Sequence, residues 1–221
     1  MTGETYRIDE ETIKGLEEAL QCALDTSVRE KYGERPDERI LARIQEEWNA
    51  MLCSESVADI ASVHEITMCL REGGYQYCVA NDAGASFLCY LLDISSVNPL
   101  PLHIFCPICK KVTFCKSQED STDAPGTMIC EHNKTDWVTD GCDIPWQPIW
   151  GDGSHKPVFN IVAPPNAYQQ FLKYVDRSWL LKEVQPIPVF RLNHLKEQCV
   201  EFPRITICFS KEPGIKTSSA Q

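Results

Sequence analysis

Residues 94–111 read ISSVNPLPLHIFCPICKK, and this stretch divides the chain into two unlike parts. Pro99 and Pro101 lack amide protons, so a helix cannot continue through its first half. The second half holds a CPIC knuckle at 106–109, and the residues that follow, 110–114, have the character of a strand. The stretch therefore predicts that a helical region ends here and that a cysteine-rich region begins.

The residues around this stretch predict an α+β chain. Upstream, apolar residues recur at helical spacing and indicate three helices, over 9–26, from Pro36 to about Met51, and from Ser54 to about Leu70. Strands rich in β-branched residues are expected at 75–80, 158–163, 186–192 and 204–209. A further helix is expected at 168–182 because its apolar residues have helical spacing. Most of the apolar positions in the helices are interpreted as core packing.

The charge balance disfavours unaided binding to nucleic acid. The chain has 221 residues, with 21 basic and 32 acidic side chains, and its net charge is −11. A protein that binds nucleic acid alone usually needs a basic face, since phosphate neutralisation supplies most of the affinity. The sequence contains no apolar run of about 18 residues, and its first nine residues do not have the pattern of a signal or transit peptide. We therefore expect a cytoplasmic protein with no membrane segment.

The twelve cysteines fall into two groups. Cys22, Cys53, Cys69 and Cys89 lie in apolar or helical stretches and are interpreted as reduced thiols that act as small hydrophobic residues. The cysteines between 106 and 142 are more closely spaced and indicate a metal site.

The spacing of the CPIC knuckle is typical of a structural zinc site. Two thiolates separated by two residues can meet one tetrahedral ion at about 2.3 Å, and a second half-site is expected roughly 15–25 residues later. Cys130 lies in that interval, but position 133 holds Asn and Cys115 is a further thiol nearby. Free loop cysteines and a redox CxxC centre are the other interpretations. The expected ligands are Cys106, Cys109, Cys130 and His132, with Cys142 as an alternative fourth ligand.

The blocks around the knuckle resemble one polymerase family. The run from Gly84 through VNPLPLH at 97–103 to CPICK at 106–110 is similar to the pattern GSSFVATMTxITxVNPLPPHYxCPxCK. DGCDIPW at 140–146 resembles DGHDIPF, and Tyr32-Gly33 resembles the YG that precedes a family helix. These blocks identify residues 15–165 as similar to the PolC-type DNA polymerase III alpha subunit, at the start of its palm domain with a zinc-binding insertion.

The element pattern and the resemblance together predict a division of the chain into five regions. These are a helical region at 1–73, a palm start at 74–104, a zinc-knuckle insertion at 105–145, palm-like strands and a helix at 146–211, and a disordered tail at 212–221. We expect a palm fragment that stands alone, without the other parts of the polymerase.

The chain departs from the family at its nucleotide-binding loop. The family's GSRGS loop aligns with Cys78, Val79, Ala80, Asn81 and Asp82, so both glycines and the arginine are missing. Such loops need glycine for a close backbone approach to phosphate and arginine to pair its charge. The resemblance therefore implies that this loop is degenerate and binds no nucleotide.

The segment that matches the family's catalytic strand also lacks the family's functional residues. The two aspartates of the family's PDIDLNF motif, which hold paired Mg²⁺ ions, align with Val158 and Asn160. Mg²⁺ requires hard oxygen ligands, so a valine and a neutral amide are poor replacements. We expect neither Mg²⁺ binding nor polymerase activity, and we expect a scaffold or binding module with a protein partner linked to replication. The alternatives are a polymerase component completed in trans by another chain, a new enzyme on the old scaffold, and a product without a selected role.

Overall fold

Three helices lie in the first third of the chain, and a carboxylate caps the first two of them. They are α1 (Glu10–Tyr32), α2 (Glu38–Cys53) and α3 (Val57–Glu72). The Asp9 carboxylate accepts a hydrogen bond from the Thr12 amide at 2.7 Å, and Asp37 accepts one from the Arg39 amide at 2.9 Å. Carboxylates at these positions satisfy amides that have no partner within the helix. The three predicted helices are confirmed, although α1 continues six residues beyond its predicted end.

The computed structural model describes residues 9–80, 82–115, 130–132, 137–167, 181–193 and 196–208. Three features predicted from the sequence lie outside the described residues. They are the loop residue Asn81, the helical segment over 168–180 and the tail at 212–221. The last two residues of the predicted 168–182 helix, Leu181 and Lys182, belong instead to a strand.

The strands form two antiparallel sheets, which with the helices confirm the α+β class. The larger sheet has the order β1-β5-β7-β6, and the smaller has the order β3-β2-β4. The bounds of the strands are β1 (Cys78–Ala80), β2 (His103–Phe105), β3 (Val112–Phe114), β4 (Val138–Asp140), β5 (Phe159–Val162), β6 (Leu181–Asn193) and β7 (Lys196–Cys208).

Two short helices, α4 (Phe87–Leu91) and α5 (Gln147–Trp150), pack against the N-terminal helices, since α4 contacts α1 and α2, and α5 contacts α2. Phe87 and Trp150 are fully buried there, together with Phe159 of β5. The chain therefore places its core between the N-terminal helices and the segment that resembles the polymerase palm.

A buried carboxylate links α2 to both short helices. Glu47 is completely buried and forms an ion pair with Arg43, one turn earlier on α2. It also accepts hydrogen bonds from the Ser86 hydroxyl at 2.7 Å and the Phe87 amide at 2.9 Å, so it caps α4 from a different helix. The Trp150 indole donates to the same carboxylate at 3.4 Å. Arg43 in turn donates to backbone carbonyls that precede α4 and α5.

Two of the four cysteines interpreted as hydrophobic residues are exposed, and Cys69 is only partly buried. Cys89 is buried as expected, but Cys22 and Cys53 are exposed. The buried residues of α1 that flank Cys22 are Leu20 and Leu24, and Cys22 lies about 200° around the helix from each. The prediction was wrong for Cys22 and Cys53 because an apolar neighbourhood in sequence does not give a position on the buried face.

Gly141→Ala is expected to lower the free energy of unfolding by about 2–4 kcal/mol, measured by urea titration. Gly141 has φ of +104°, and a Cβ there would lie 2.5 Å from the Pro101 carbonyl oxygen and 2.7 Å from that of Leu100. Both the backbone conformation and the contact therefore exclude a side chain.

Gly15→Ala is the matched control for this substitution. Gly15 lies inside α1, and a Cβ there meets no heavy atom within 4 Å beyond its chain neighbours and the backbone of its own helix. Alanine should stabilise an open helical position by about 0.5–1 kcal/mol. If both substitutions changed stability equally, the close approach at Gly141 would not be the cause.

Candidate metal centre

Four potential metal ligands meet at one end of the smaller sheet. The ligand atoms of Cys106, Cys109, Cys130 and His132 all lie within 4.8 Å of one another. The distance from the Cys106 sulfur to His132 Nδ1 is 3.6 Å. Of the described residues, these are the ones that form such a cluster. The structure thus brings together the four residues that the sequence predicted as metal ligands.

The knuckle that carries Cys106 and Cys109 is a tight turn between β2 and β3. The Lys110 amide donates to the Cys106 carbonyl at 2.8 Å, and the Cys106 amide donates to the Lys111 carbonyl at 3.0 Å. Lys110 has φ of +61°, a left-handed conformation that lets the chain reverse directly after Cys109. This turn points both thiols to the same side, as a two-thiolate site requires.

The register of the smaller sheet explains why His132 joins the cluster and Cys142 does not. Val138, at the start of β4, pairs with Phe105, and Asp140, at its end, pairs with His103. The chain that precedes β4 therefore arrives at the knuckle, and the chain that follows β4 leaves at the opposite end of β2. Cys142 lies at that far end, where its amide donates to the Asn98 carbonyl at 2.9 Å.

Cys115 is separated from the knuckle in the same way. Phe114 pairs with His103, so Cys115 follows β3 at the far end of the sheet. Its amide donates to the Leu102 carbonyl at 2.8 Å. Neither of the two alternative thiols named from the sequence belongs to the cluster that the described residues form.

The environment of the cluster favours ionisation of one thiol. Burial alone would raise the pKa of Cys106, but the backbone amides of Cys109 and Ile108 and the neighbouring thiols lower it to about 7. Burial raises the pKa of Cys130, and the charge on Cys106 adds to that rise. A thiolate therefore forms more easily at Cys106 than at Cys130, and thiolates are the form in which cysteine binds metals.

The donor set suits a zinc ion. Three sulfur atoms and one imidazole nitrogen are a known ligand combination for tetrahedral structural zinc. Four protein ligands leave no open coordination position, so a metal here would hold the knuckle in place rather than activate water. Cys106, Cys109, Cys130 and His132 are therefore the residues that would hold it.

A hydrogen-bond network joins three segments that are far apart in sequence. The Asn98 side-chain amide donates to the Tyr32 hydroxyl at 3.0 Å and to the Asp140 carboxylate at 2.6 Å. The Tyr90 hydroxyl donates to the same carboxylate at 3.3 Å. Burial raises the pKa of Tyr32 and raises that of Tyr90 to about 12, so both phenols stay protonated. Asn98 is only 2% exposed, which gives the network a structural role at the base of the smaller sheet.

The two segments that the resemblance matches to the family's nucleotide-binding loop and catalytic strand lie side by side in the larger sheet. β1 pairs with β5 so that Ala80 is opposite Asn160 and Cys78 is opposite Val162. Asn160 is 2% exposed, and Val158, two residues earlier, is 42% exposed. Asp82, two residues after the end of β1, starts a 3-10 turn. In the described residues, β5 contains no acidic residue and β1 contains no basic residue. Neither strand therefore offers a carboxylate or a basic group beside the pair formed by Ala80 and Asn160.

Comparison with known proteins gives a consistent result for most of the chain. No protein-family model matches it. A curated protein named DNA polymerase III PolC-type from Clostridium perfringens is 29% identical over 150 residues, which is 66% of this chain and 10% of that protein. The protein of the same name from Ureaplasma parvum is 32% identical over 57% of this chain, and that from Bacillus subtilis is 29% identical over 63%. This chain is related to PolC-type DNA polymerase III.

The relationship to PolC covers only part of each PolC protein. The chain spans about a tenth of the length of the curated relatives that it matches. The resemblance to PolC-type DNA polymerase III found in the sequence is confirmed by these relatives. Among the described residues, no helix combines the length and the apolar character that a membrane crossing needs.

Sequence reasoning missed the role of Glu47 and the network around Asn98. Tyr32, Asn98 and Asp140 each lie in a segment that resembles PolC, but nothing in the sequence shows that they meet. A usable signal was present, because a polar residue between apolar ones in VNPLP is unusual for a packed segment.

Proposed function

We propose that this chain is a PolC-related module that lacks nucleotidyl-transfer chemistry and binds a protein partner, in connection with DNA replication in the cytoplasm. The observation that carries this proposal is the pairing of Ala80 with Asn160. The strand aligned with the catalytic aspartates and the strand aligned with the phosphate-binding loop are adjacent, as a nucleotide site would need. Yet Val158 and Asn160 replace the two carboxylates, so paired Mg²⁺ ions lack their hard ligands.

The burial of Asn160 supports the loss of this chemistry. A carboxylate that binds two cations must face the ions, and an unpaired charge in a buried position costs several kcal/mol. A neutral amide with 2% exposure fits a packed strand without any ion. The zinc that we assign to the four-residue cluster would stabilise the knuckle and take no part in a reaction.

Calorimetric titration with Mg²⁺ and a deoxynucleoside triphosphate tests the loss of chemistry. We expect no saturable heat at millimolar concentrations, because the loop contains neither glycine nor arginine and the strand offers no carboxylate. Mg²⁺-dependent nucleotide binding by the chain alone would contradict the proposal.

The Val158→Asp, Asn160→Asp double variant is the matched comparison for this titration. In the absence of metal it should unfold at a lower temperature than the parent, because Asn160 is buried and its replacement would be charged. Mg²⁺ should reverse part of that loss if the strand keeps the geometry of a cation site. The same titrations in the presence of other replication proteins test the second candidate, a polymerase component completed in trans.

A further inference from the structure

The hairpin formed by β6 and β7 extends beyond the rest of the larger sheet. β5 pairs with β7 only at residues 204–207, from Phe159↔Ile207 to Val162↔Arg204. β6 pairs with β7 along its whole length, from Leu181↔Cys208 to Asn193↔Lys196. Among the described residues, the part of β7 at 196–203 therefore has a strand on one side only. At about 3.4 Å per residue, this open edge is about 27 Å long.

The three prolines of the hairpin occupy positions whose amides would point away from the partner strand. In an antiparallel pair, opposed residues alternate between hydrogen-bonded and non-hydrogen-bonded pairs. Two residues separate Asn193 from Lys196, and a connection of that length makes the flanking pair hydrogen-bonded. Counting from it, Pro186↔Pro203 and Pro188↔Glu201 are both non-hydrogen-bonded pairs. The prolines therefore remove no bond between β6 and β7.

These prolines instead decide which outer edge of the hairpin can accept another strand. The outer edge of β6 loses two donors, at Pro186 and Pro188, and proline on an edge strand is a known block to further pairing. Pro203 lies one residue beyond the last pair that β5 makes with β7, and its missing amide ends that ladder. The outer edge of β7 between these limits contains no proline.

The open edge of β7 presents a regular set of backbone groups. By the same alternation, the amides and carbonyls of Glu197, Cys199 and Glu201 point away from β6. The edge continues the ladder that β5 already forms, so an added strand antiparallel to β7 would lie in line with β5. Segments that bind in this way gain affinity from main-chain hydrogen bonds.

We propose that the β7 edge at residues 197–201 binds an extended, basic protein segment as an added antiparallel strand. The charge of the edge argues for a basic occupant, since Glu197 and Glu201 are four residues apart and lie on the same face of the ribbon. Residues directly opposite each other in a sheet interact, and opposite charges there are favourable. The inference names a surface for the proposed binding role and rests on it.

A second copy of the chain is a poorer occupant of this edge. Two β7 strands that paired around a twofold axis at Cys199 would place Glu197 of each copy opposite Glu201 of the other. Like charges directly opposite each other destabilise a sheet. The same edge therefore disfavours its own copy and favours a basic segment.

Peptide binding with hydrogen exchange tests this proposal. The probes are two blocked eight-residue peptides, one alternating threonine with lysine and the other threonine with glutamate. The lysine peptide should bind and slow exchange of the amides at 197, 199 and 201, and the glutamate peptide should not. Cys199→Pro should weaken binding of the lysine peptide at least tenfold, because it removes one outward amide and blocks the edge. Cys199→Ala keeps the amide and should bind as the parent does.

Three results would overturn the proposal. The first is slow exchange at 197, 199 and 201 in the free protein, which would mean that the edge is already paired. The second is equal binding of both peptides, and the third is unchanged binding by Cys199→Pro. The Glu197→Lys, Glu201→Lys variant should reverse the peptide preference. The nucleotide titration described above does not depend on this edge, so failure of one proposal can be told from failure of the other.

Discussion

Glu47→Gln is expected to lower the free energy of unfolding by about 3–5 kcal/mol in urea titration. Glu47 is completely buried and pairs with Arg43, whose side chain is 13% exposed. Glutamine keeps the shape but removes the charge, so the guanidinium stays buried without its counterion. Removal of one partner from a buried ion pair is among the most damaging single substitutions in proteins.

The loss should extend beyond the ion pair itself. The two carboxylate oxygens accept hydrogen bonds from the Ser86 hydroxyl, the Phe87 and Leu88 amides and the Trp150 indole. A glutamine amide nitrogen cannot accept any of them, so at least one buried donor at the start of α4 would lose its partner. A total stability of about 5–15 kcal/mol is typical for a domain, and the variant would lose a large share of it.

Glu46→Gln is the control for this substitution. Glu46 is the preceding residue of the same helix and is exposed. Its replacement by glutamine should change the unfolding free energy by less than about 0.5 kcal/mol. If both variants behaved alike, the Glu47 network would contribute little to stability.

Cys106→Ser is expected to abolish zinc binding and to unfold the knuckle. The purified parent should contain one zinc per chain by mass spectrometry, and the variant should contain none. Structural zinc sites contribute about 10–16 kcal/mol of apparent binding energy in small zinc-finger peptides. β2, β3 and β4 have only three residues each, so their sheet depends on a bound zinc ion for stability more than a sheet of long strands would. Chelation of the parent should give the same loss, measured as faster hydrogen exchange of residues 103–114.

His132→Ala and Cys142→Ser are the matched pair of variants that tests which residue is the fourth zinc ligand. His132→Ala should lower zinc affinity, because His132 belongs to the four-residue cluster. Cys142→Ser should keep a full zinc content, because Cys142 is exposed and lies at the other end of β2. The opposite pattern, with zinc lost from Cys142→Ser and kept by His132→Ala, would show that the cluster is not the ligand set.

Local patterns predicted the helices and the knuckle because their causes are local. The capping carboxylates Asp9 and Asp37 and the apolar spacing between them depend on residues a few positions apart. The CPIC turn likewise needs only a two-residue spacing to place two thiols together. The resemblance also implies, from the sequence alone, that the family's loop glycines, arginine and paired aspartates are replaced at 78–82, Val158 and Asn160.

Long-range contacts were not predictable in the same way. Glu46 and Glu47 are adjacent acids on one helix, and their sequence context does not tell which of them is buried. The structure shows that Glu47 is the buried one, because the first amides of α4, those of Phe87 and Leu88, donate to its carboxylate. The exposed thiols Cys22 and Cys53 were misassigned for a related reason, because burial depends on which face of a helix meets the core.

The sequence by itself determined the class of the chain, its relation to PolC and three of its four candidate metal ligands. It left His132, Cys115 and Cys142 as competing ligands because a chain can bring any of them to the knuckle. The register of the smaller sheet decided among them: β4 enters beside Phe105 and leaves beside His103, so His132 reaches the thiols and Cys142 is carried away. Register depends on pairing between segments more than 30 residues apart, and only the tertiary structure specifies it.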